Sequence, residues 1–241
     1  MTAESAAGVR VEEFAFEADG LALQGSLHLP AAPARPPVVI GCHGLWSDRR
    51  SPKQVALAEA LAAAGVACLR IDHRGCGGSA GTRAATVALE ARVADLCAAA
   101  AALGRRGGLG RPLGLFGSSM GGAVCLRAAP RLGAAAVVSY AAPVRIRIAA
   151  AARRGMEPPP PEDFDLAPGL GAVSNLLVIH GEADEVVPVA HAREIYAAAA
   201  PPKRLIVQPG GDHLASDPRH QAELIREAAA WLAAALAAAG R

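Results

Sequence analysis

"GLFGSSMGG", residues 114–122, sets paired serines among glycines. It follows the short apolar run Pro112 to Phe116 and precedes Ala123 to Ala129, which reads as helix. A strand that passes at once into a helix turns a tight corner and strains the residue at its apex. Residues two before and two after the apex must be almost free of side chain. That spacing is G-x-S-x-G, with Gly117 and Gly121 flanking Ser119. Ser119 is the apical residue, and Ser118, the variable position, points back toward the body of the fold.

Working outward, apolar runs of strand length recur at Pro37 to Gly41, Val66 to Ile71, Pro112 to Phe116, Ala134 to Ser139, Leu176 to His180 and Arg204 to Gln208. Alanine-rich stretches of helical length separate them: Pro52 to Ala64, Ala84 to Leu103, Ala190 to Ala199 and Gln221 to Ala238. Continuous apolar strands alternating with helices predict a parallel sheet covered on both faces. Ahead of them Val11 to Phe16 and Leu21 to Leu29 form an antiparallel hairpin turning at Asp19-Gly20. The expectation is an α/β fold with a mostly parallel eight-stranded sheet in one domain, 1–241. Residues 141–172, with "EPPPPEDF" inside, fit no element, because four prolines cannot continue a helix. They predict a short strap, a minimal cap that leaves the sheet.

Composition narrows the functional classes. The 24 basic and 22 acidic residues are spread along the chain with no basic block, so no nucleic-acid partner is expected. "MTAESAAGVRVEEF" lacks a basic start followed by an apolar core, so no secretory signal is expected. The late apolar stretch Ala228 to Gly240 is shorter than the ~20 residues of a membrane-spanning helix. Of five cysteines, Cys42, Cys68, Cys97 and Cys125 sit in apolar runs and read as small buried hydrophobes, while Cys76, in a glycine loop, reads as exposed. This usage fits a reducing cytoplasm. No histidine–carboxylate pair has metal spacing, so no metal is expected. The sequence leaves monomer and homodimer open.

In an open parallel sheet, function gathers at the carboxyl ends of the strands. Five polar or glycine-rich segments fall there: "HGLWSD" (43–48), "DHRGCGGS" (72–79), "GSSMGG" (117–122), "HGEADEVVP" (180–188) and "GGDH" (210–213). "DHRGCGGS" lacks the Lys-Ser/Thr ending of a phosphate loop, and no G-x-G-x-x-G opens a helix after the first parallel strand, so no nucleotide cofactor is expected. This set, in the order Ser, Asp, His, resembles the α/β-hydrolase superfamily, in particular its small bacterial serine esterases and dienelactone-hydrolase-like members. The resemblance runs from about Val11 to the last helix.

A serine hydroxyl attacks only when a base takes its proton. Among seven histidines, His213 alone lies in the loop after the last strand, where the family keeps its base. The acid that orients the imidazole comes from the loop after Leu176 to His180, which offers Glu182, Asp184 and Glu185. The pattern H-G-x-x-D-x-x-V-P puts Asp184 where family members carry it, with Glu182 or Glu185 as alternatives. Asp212 reads as a loop-shaping residue. By the same resemblance, the oxyanion donors are the backbone N–H groups of Leu45 and Met120, and Asp72 and Arg74 form an internal support pair. Trp46 lines the acyl pocket or simply packs.

The resemblance therefore implies a cofactor-free, carboxylesterase-like serine hydrolase acting on a small-molecule ester or related acyl compound. Thioesterases, amidase-like peptidases and perhydrolases would use nearly the same residues. A haloalkane dehalogenase would need aspartate at position 119. A catalytically silent binding protein of this fold usually lacks a triad member, and none is missing here. In the strap, "VRIRIAAAARRG" predicts one short helix and "EPPPPEDFDL" an extended segment. Arg145, Arg147, Arg153 and Arg154 form a solvated helix face or draw anionic substrate to the mouth. So light a cover, in a chain with 3% aromatic residues, implies an open site favouring small or short-chain acyl groups.

Overall fold

The computed structural model of the chain describes residues 3–4, 9–148, 156 and 160–240. Its strands are β1 (Ala3–Glu4), β2 (Arg10–Ala18), β3 (Leu21–Leu29), β4 (Val38–Cys42), β5 (Ala67–Ile71), β6 (Leu113–Ser118), β7 (Ala136–Tyr140), β8 (Arg145–Ile146), β9 (Phe164–Asp165), β10 (Leu176–Gly181) and β11 (Lys203–Gln208). Its α-helices are α1 (Pro52–Ala63), α2 (Leu89–Arg106), α3 (Met120–Leu132), α4 (Ala190–Ala198) and α5 (Pro218–Ala239). Among the described residues the main sheet runs β1-β2-β3-β5-β4-β6-β7-β10-β11, the eight expected strands plus the two-residue β1. All neighbours from β5 to β11 are parallel, and β1, β2 and β3 add antiparallel. The β2–β3 turn is two residues long, with φ of 51° at Asp19 and 75° at Gly20, the left-handed pair that matches strand twist.

Two apolar cores explain why the central strands are apolar at most positions on both faces. Ile40, Leu115, Val137 and Val178 face one side with Val93, Leu96 and Val124 of α2 and α3. Val39, Phe116, Val138 and Leu177 face the other with Leu57 and Leu61 of α1 and Leu224 and Leu232 of α5. Alternate side chains of one strand thus feed opposite layers, as a pleat of period two requires. The chain leaves β4 first for β5 and then returns to its other side for β6, so the order reverses at β4. Crevices form at the carboxyl ends of strands where the order reverses. Among the described residues, no helix is long and apolar enough to cross a membrane.

Four expectations need correction. The long helix from Ala84 is broken: Arg83–Val87 is a 3₁₀ turn, Ala88 is extended, and α2 starts at Leu89. Cys76 is buried (8% exposed) because its loop folds under that turn, bringing its Sγ to 3.4 Å from the Thr86 hydroxyl. The opening of the strap is not helical at Arg145–Ile146, which pairs as β8 with Phe164–Asp165; residues 149–155 of the expected helix, with Arg153 and Arg154, lie outside the described residues. Arg145 is half-buried and paired, whereas Arg147 stays exposed as expected. Arg145 forks onto Glu194 and both reach Asp165.

The fourth correction concerns Asp72 and Arg74, which do not pair with each other. The loop turns between them. Asp72 accepts from Arg49 N (2.7 Å), Arg49 Nη1 (2.6 Å) and Gly78 N (2.8 Å), whereas Arg74 binds Asp95 Oδ1 (2.7 Å) and Asp19 Oδ2 (2.8 Å). Asp95 is fully buried and also accepts from Arg74 N at 2.9 Å. Stranding a buried charge costs about 3–5 kcal/mol, so Arg74→Met and Asp95→Asn should each destabilise strongly. In urea unfolding, a double-mutant cycle should give an Arg74–Asp95 coupling above about 2 kcal/mol, and one for Arg74–Asp72 within about 0.5 kcal/mol. The reverse ranking would contradict these partners.

Candidate active site

Steric exclusion sets the corner after β6. A Cβ on Gly117 would collide with the Gly121 carbonyl, and one on Gly121 with the Cys42 carbonyl at the end of β4. Between them Ser119 holds φ 55° and ψ −126°, a region that side chains avoid. Its N–H is fastened to Tyr140 O at 2.8 Å, so it stands half-buried above the sheet, while Ser118 is buried at the strand end.

A second pair of glycines joins two distant loops. A Cβ on Gly181 would collide with the Gly211 carbonyl, so the loops after β10 and β11 meet backbone to backbone. That contact sets His213 beside Asp184, with His213 Nδ1 at 2.7 Å from Asp184 Oδ2. The carboxylate only accepts, so Nδ1 carries the proton and Nε2 is free to accept from the Ser119 hydroxyl at 3.0 Å. Asp184 is 6% exposed and anchored by Val186 N (2.9 Å) and Val187 N (2.8 Å) on its other oxygen. Glu182 and Glu185 are exposed.

Around this relay the His213 loop is tied down by groups the sequence did not single out. Tyr140 Oη donates to Asp212 O at 3.0 Å, and Lys53 Nζ donates to Leu214 O at 2.8 Å. Asp212 shapes the loop by accepting from Ser216 N at 2.8 Å. His180, fully buried beneath Asp184, donates Nε2–H to Val187 O at 2.8 Å, and burial lowers its pKa.

A cavity of about 470 Å³ opens at Ser119 and His213. Leu45, Trp46 and Met120 form one wall, with Ile146, Ile148 and Pro161 of the strap and Val186 and Val187 across from them. Gly44 allows the close approach of the first wall: a Cβ there would stand 3.3 Å from that of Ser119. Trp46 lies at φ 58° and also meets the Arg83 guanidinium, 5.6 Å from the ring centre. His191 lines the cavity as well; its Nδ1 accepts from Val144 N at 3.1 Å. Neither His191 nor Lys53 has a motif around it. Both are brought in by the fold.

A sheet of this order, carrying a strained serine between glycines over a histidine–carboxylate pair, is that of the α/β hydrolases. The family model described as "Serine aminopeptidase, S33" matches residues 34–159, and the chain belongs to that family. The matched span includes Ser119 but ends before Asp184 and His213. An uncharacterized protein of Mycobacterium tuberculosis is 30% identical over 200 residues, 81% of this chain and 69% of that protein. Among solved structures, Est1E from Butyrivibrio proteoclasticus with ferulic acid bound superposes with a TM-score of 0.77 at 18% identity, covering 93% of this chain and 99% of that one. A serine hydrolase without lid from Xanthomonas campestris gives 0.73 at 22% identity, covering 94% and 95%. A dienelactone hydrolase from Anabaena variabilis gives 0.71 at 24%, covering 92% and 96%.

The strain at Ser119 can be measured. A backbone so placed costs about 1–3 kcal/mol, and glycine escapes it while giving back about 0.5–1 kcal/mol of chain entropy. Ser119→Gly should therefore gain about 1 kcal/mol of unfolding free energy in urea. Ser119→Ala, which keeps the strain, should not. Equal stability of the two variants would argue that the corner is relaxed.

Proposed function

We propose that the protein is a cofactor-free serine hydrolase that cleaves carboxylic esters of small or short-chain acyl groups. The observation that carries this reading is the continuous relay from Ser119 Oγ through His213 to Asp184, at 3.0 and 2.7 Å. Ser119 Oγ attacks the acyl carbon as its proton passes to His213 Nε2, and the Asp184 carboxylate stabilises the imidazolium. The Leu45 and Met120 N–H groups hold the oxygen of the tetrahedral intermediate. The alcohol leaves with the proton from His213; water then attacks the acyl-serine, giving its proton to His213, and collapse of that intermediate breaks the acyl–Oγ bond, returns the proton from His213 to Ser119 Oγ and releases the acid.

The described parts of residues 141–172 act as a short strap over the acyl pocket. Support comes from the lining of a cavity of about 470 Å³ by Pro143, Ile146, Ile148 and Pro161, near the lower end of the range for ligand sites. That space suits a short acyl chain better than a long one. The family's description makes a peptidase the second reading. An aminopeptidase must bind a free ammonium, yet no aspartate or glutamate lies among the described residues lining the cavity, and the one ion there is the Arg145 cation. The lining favours an uncharged ester over a peptide N-terminus.

Ser119→Ala should lose turnover of p-nitrophenyl butyrate by a factor of about 10⁶ and lose fluorophosphonate labelling, with the fold intact. Ser118→Ala should keep most of both. An active Ser119→Ala would end the proposal. Across p-nitrophenyl esters from acetate to palmitate, kcat/KM should peak at the short chains. A peak at palmitate would overturn the reading of the strap.

A further inference from the structure

Arg92 is fully buried on α2, in the apolar stripe of Leu89, Val93 and Leu96. It forms no ion pair with any described carboxylate. Asp95, one turn on, gives its oxygens to Arg74 and comes within 3.4 Å of His73. Among the described residues, Arg92 Nε and Nη1 have no hydrogen-bond partner. A bare guanidinium in a core costs several kcal/mol, and a leucine or methionine there would pack without that cost. Stability does not account for it.

Its one bonded nitrogen points to another role. Nη2 donates to His43 O at 2.7 Å and to Gly44 O at 3.3 Å. Gly44 O also receives the His43 Nδ1–H at 2.7 Å, which leaves His43 Nε2 to accept from His73 N at 3.1 Å. Burial first, then the Arg92 charge and His73, push the His43 pKa well down, so this neutral tautomer persists. The Gly44–Leu45 peptide is trans. In a trans unit C=O and N–H point opposite ways, so a carbonyl pulled toward α2 turns the Leu45 N–H away from it, toward the Ser119 side. A cationic donor on the carbonyl also polarises that peptide and strengthens its N–H.

We propose that Arg92 is a positioning residue for hydrolysis: by binding the His43 and Gly44 carbonyls, it aims the Leu45 N–H at the oxygen of the tetrahedral intermediate. This rests on the reading of Ser119 as nucleophile and Leu45 as oxyanion donor. The ester itself makes no contact with Arg92, so ground-state binding should be insensitive to it.

The test uses Arg92→Met, Arg92→Lys and Arg92→Gln in the full chain. For each variant it measures kcat and KM for p-nitrophenyl butyrate, thermal unfolding, and inhibition by a trifluoromethyl ketone, which becomes tetrahedral on the serine. Arg92→Met is expected to melt no lower than the unsubstituted protein and to keep KM within about twofold. Its kcat should fall about 10- to 100-fold, with a parallel loss of inhibitor affinity. Arg92→Lys keeps the charge without the fork and should fall between the two. Full kcat and inhibitor affinity in any folded variant would overturn the proposal, as would a lowered melting temperature with kcat unchanged. Fluorophosphonate labelling of the unsubstituted protein separates the two failures. No adduct at Ser119 removes the hydrolase reading itself, whereas a normal adduct with indifferent variants removes only the role of Arg92.

Discussion

Three backbone segments meet at the corner after β6 with no space for side chains between them. Gly117 lies against the Gly121 carbonyl and Gly121 against the Cys42 carbonyl, so β4, β6 and α3 are locked at their closest approach. That contact forces Ser119 to φ 55° and lifts it clear of the sheet. The strain is local, and the opposing term is spread over the fold: Phe116, Val124 and Tyr140, all fully buried, hold the elements on either side of the corner in place. Moving the serine back to a relaxed backbone would require those layers to separate.

The same device recurs where the relay is closed. Gly181 and Gly211 touch backbone to backbone, and only at that distance does His213 reach Asp184. The loop carrying His213 has no strand or helix of its own to fix it, so Tyr140 and Lys53 supply the fastening. Charge is handled with similar economy beneath the site. Asp72 and Asp95 are both buried, and each is met by an arginine and by backbone N–H groups, the condition under which a buried carboxylate is tolerated. Arg92 breaks that rule, and it does so under the His43–Gly44 loop.

At the mouth, the described part of the strap contributes apolar side chains, and its Arg145 is held in internal pairs. Arg145 is turned to Glu194 and Asp165, so its charge is matched within the fold. The cavity is therefore mainly a short apolar slot beside the proposed nucleophile. Membership of a family described by a peptidase does not by itself choose the substrate, since the same relay serves any acyl group the walls admit.

Much of this was legible in the chain itself. Strands alternating with alanine-rich helices, the hairpin at Asp19-Gly20 and the register of the corner at Ser119 are all encoded by near neighbours. Pleat period, helix propensity and glycine spacing act over a few residues, so they can be read in order. The loops that carry Asp184 and His213 were legible for the same reason, as polar segments at strand ends. What only the tertiary structure decided depends on residues far apart in sequence. It turned Asp184 rather than Glu182 or Glu185 to His213, gave Asp72 to Arg49 and Arg74 to Asp95, buried Cys76 under a 3₁₀ turn, and put Arg92 beneath residues 43 and 44. Ion pairs and buried donors leave no periodic mark along a chain, because their partners are chosen by proximity after folding.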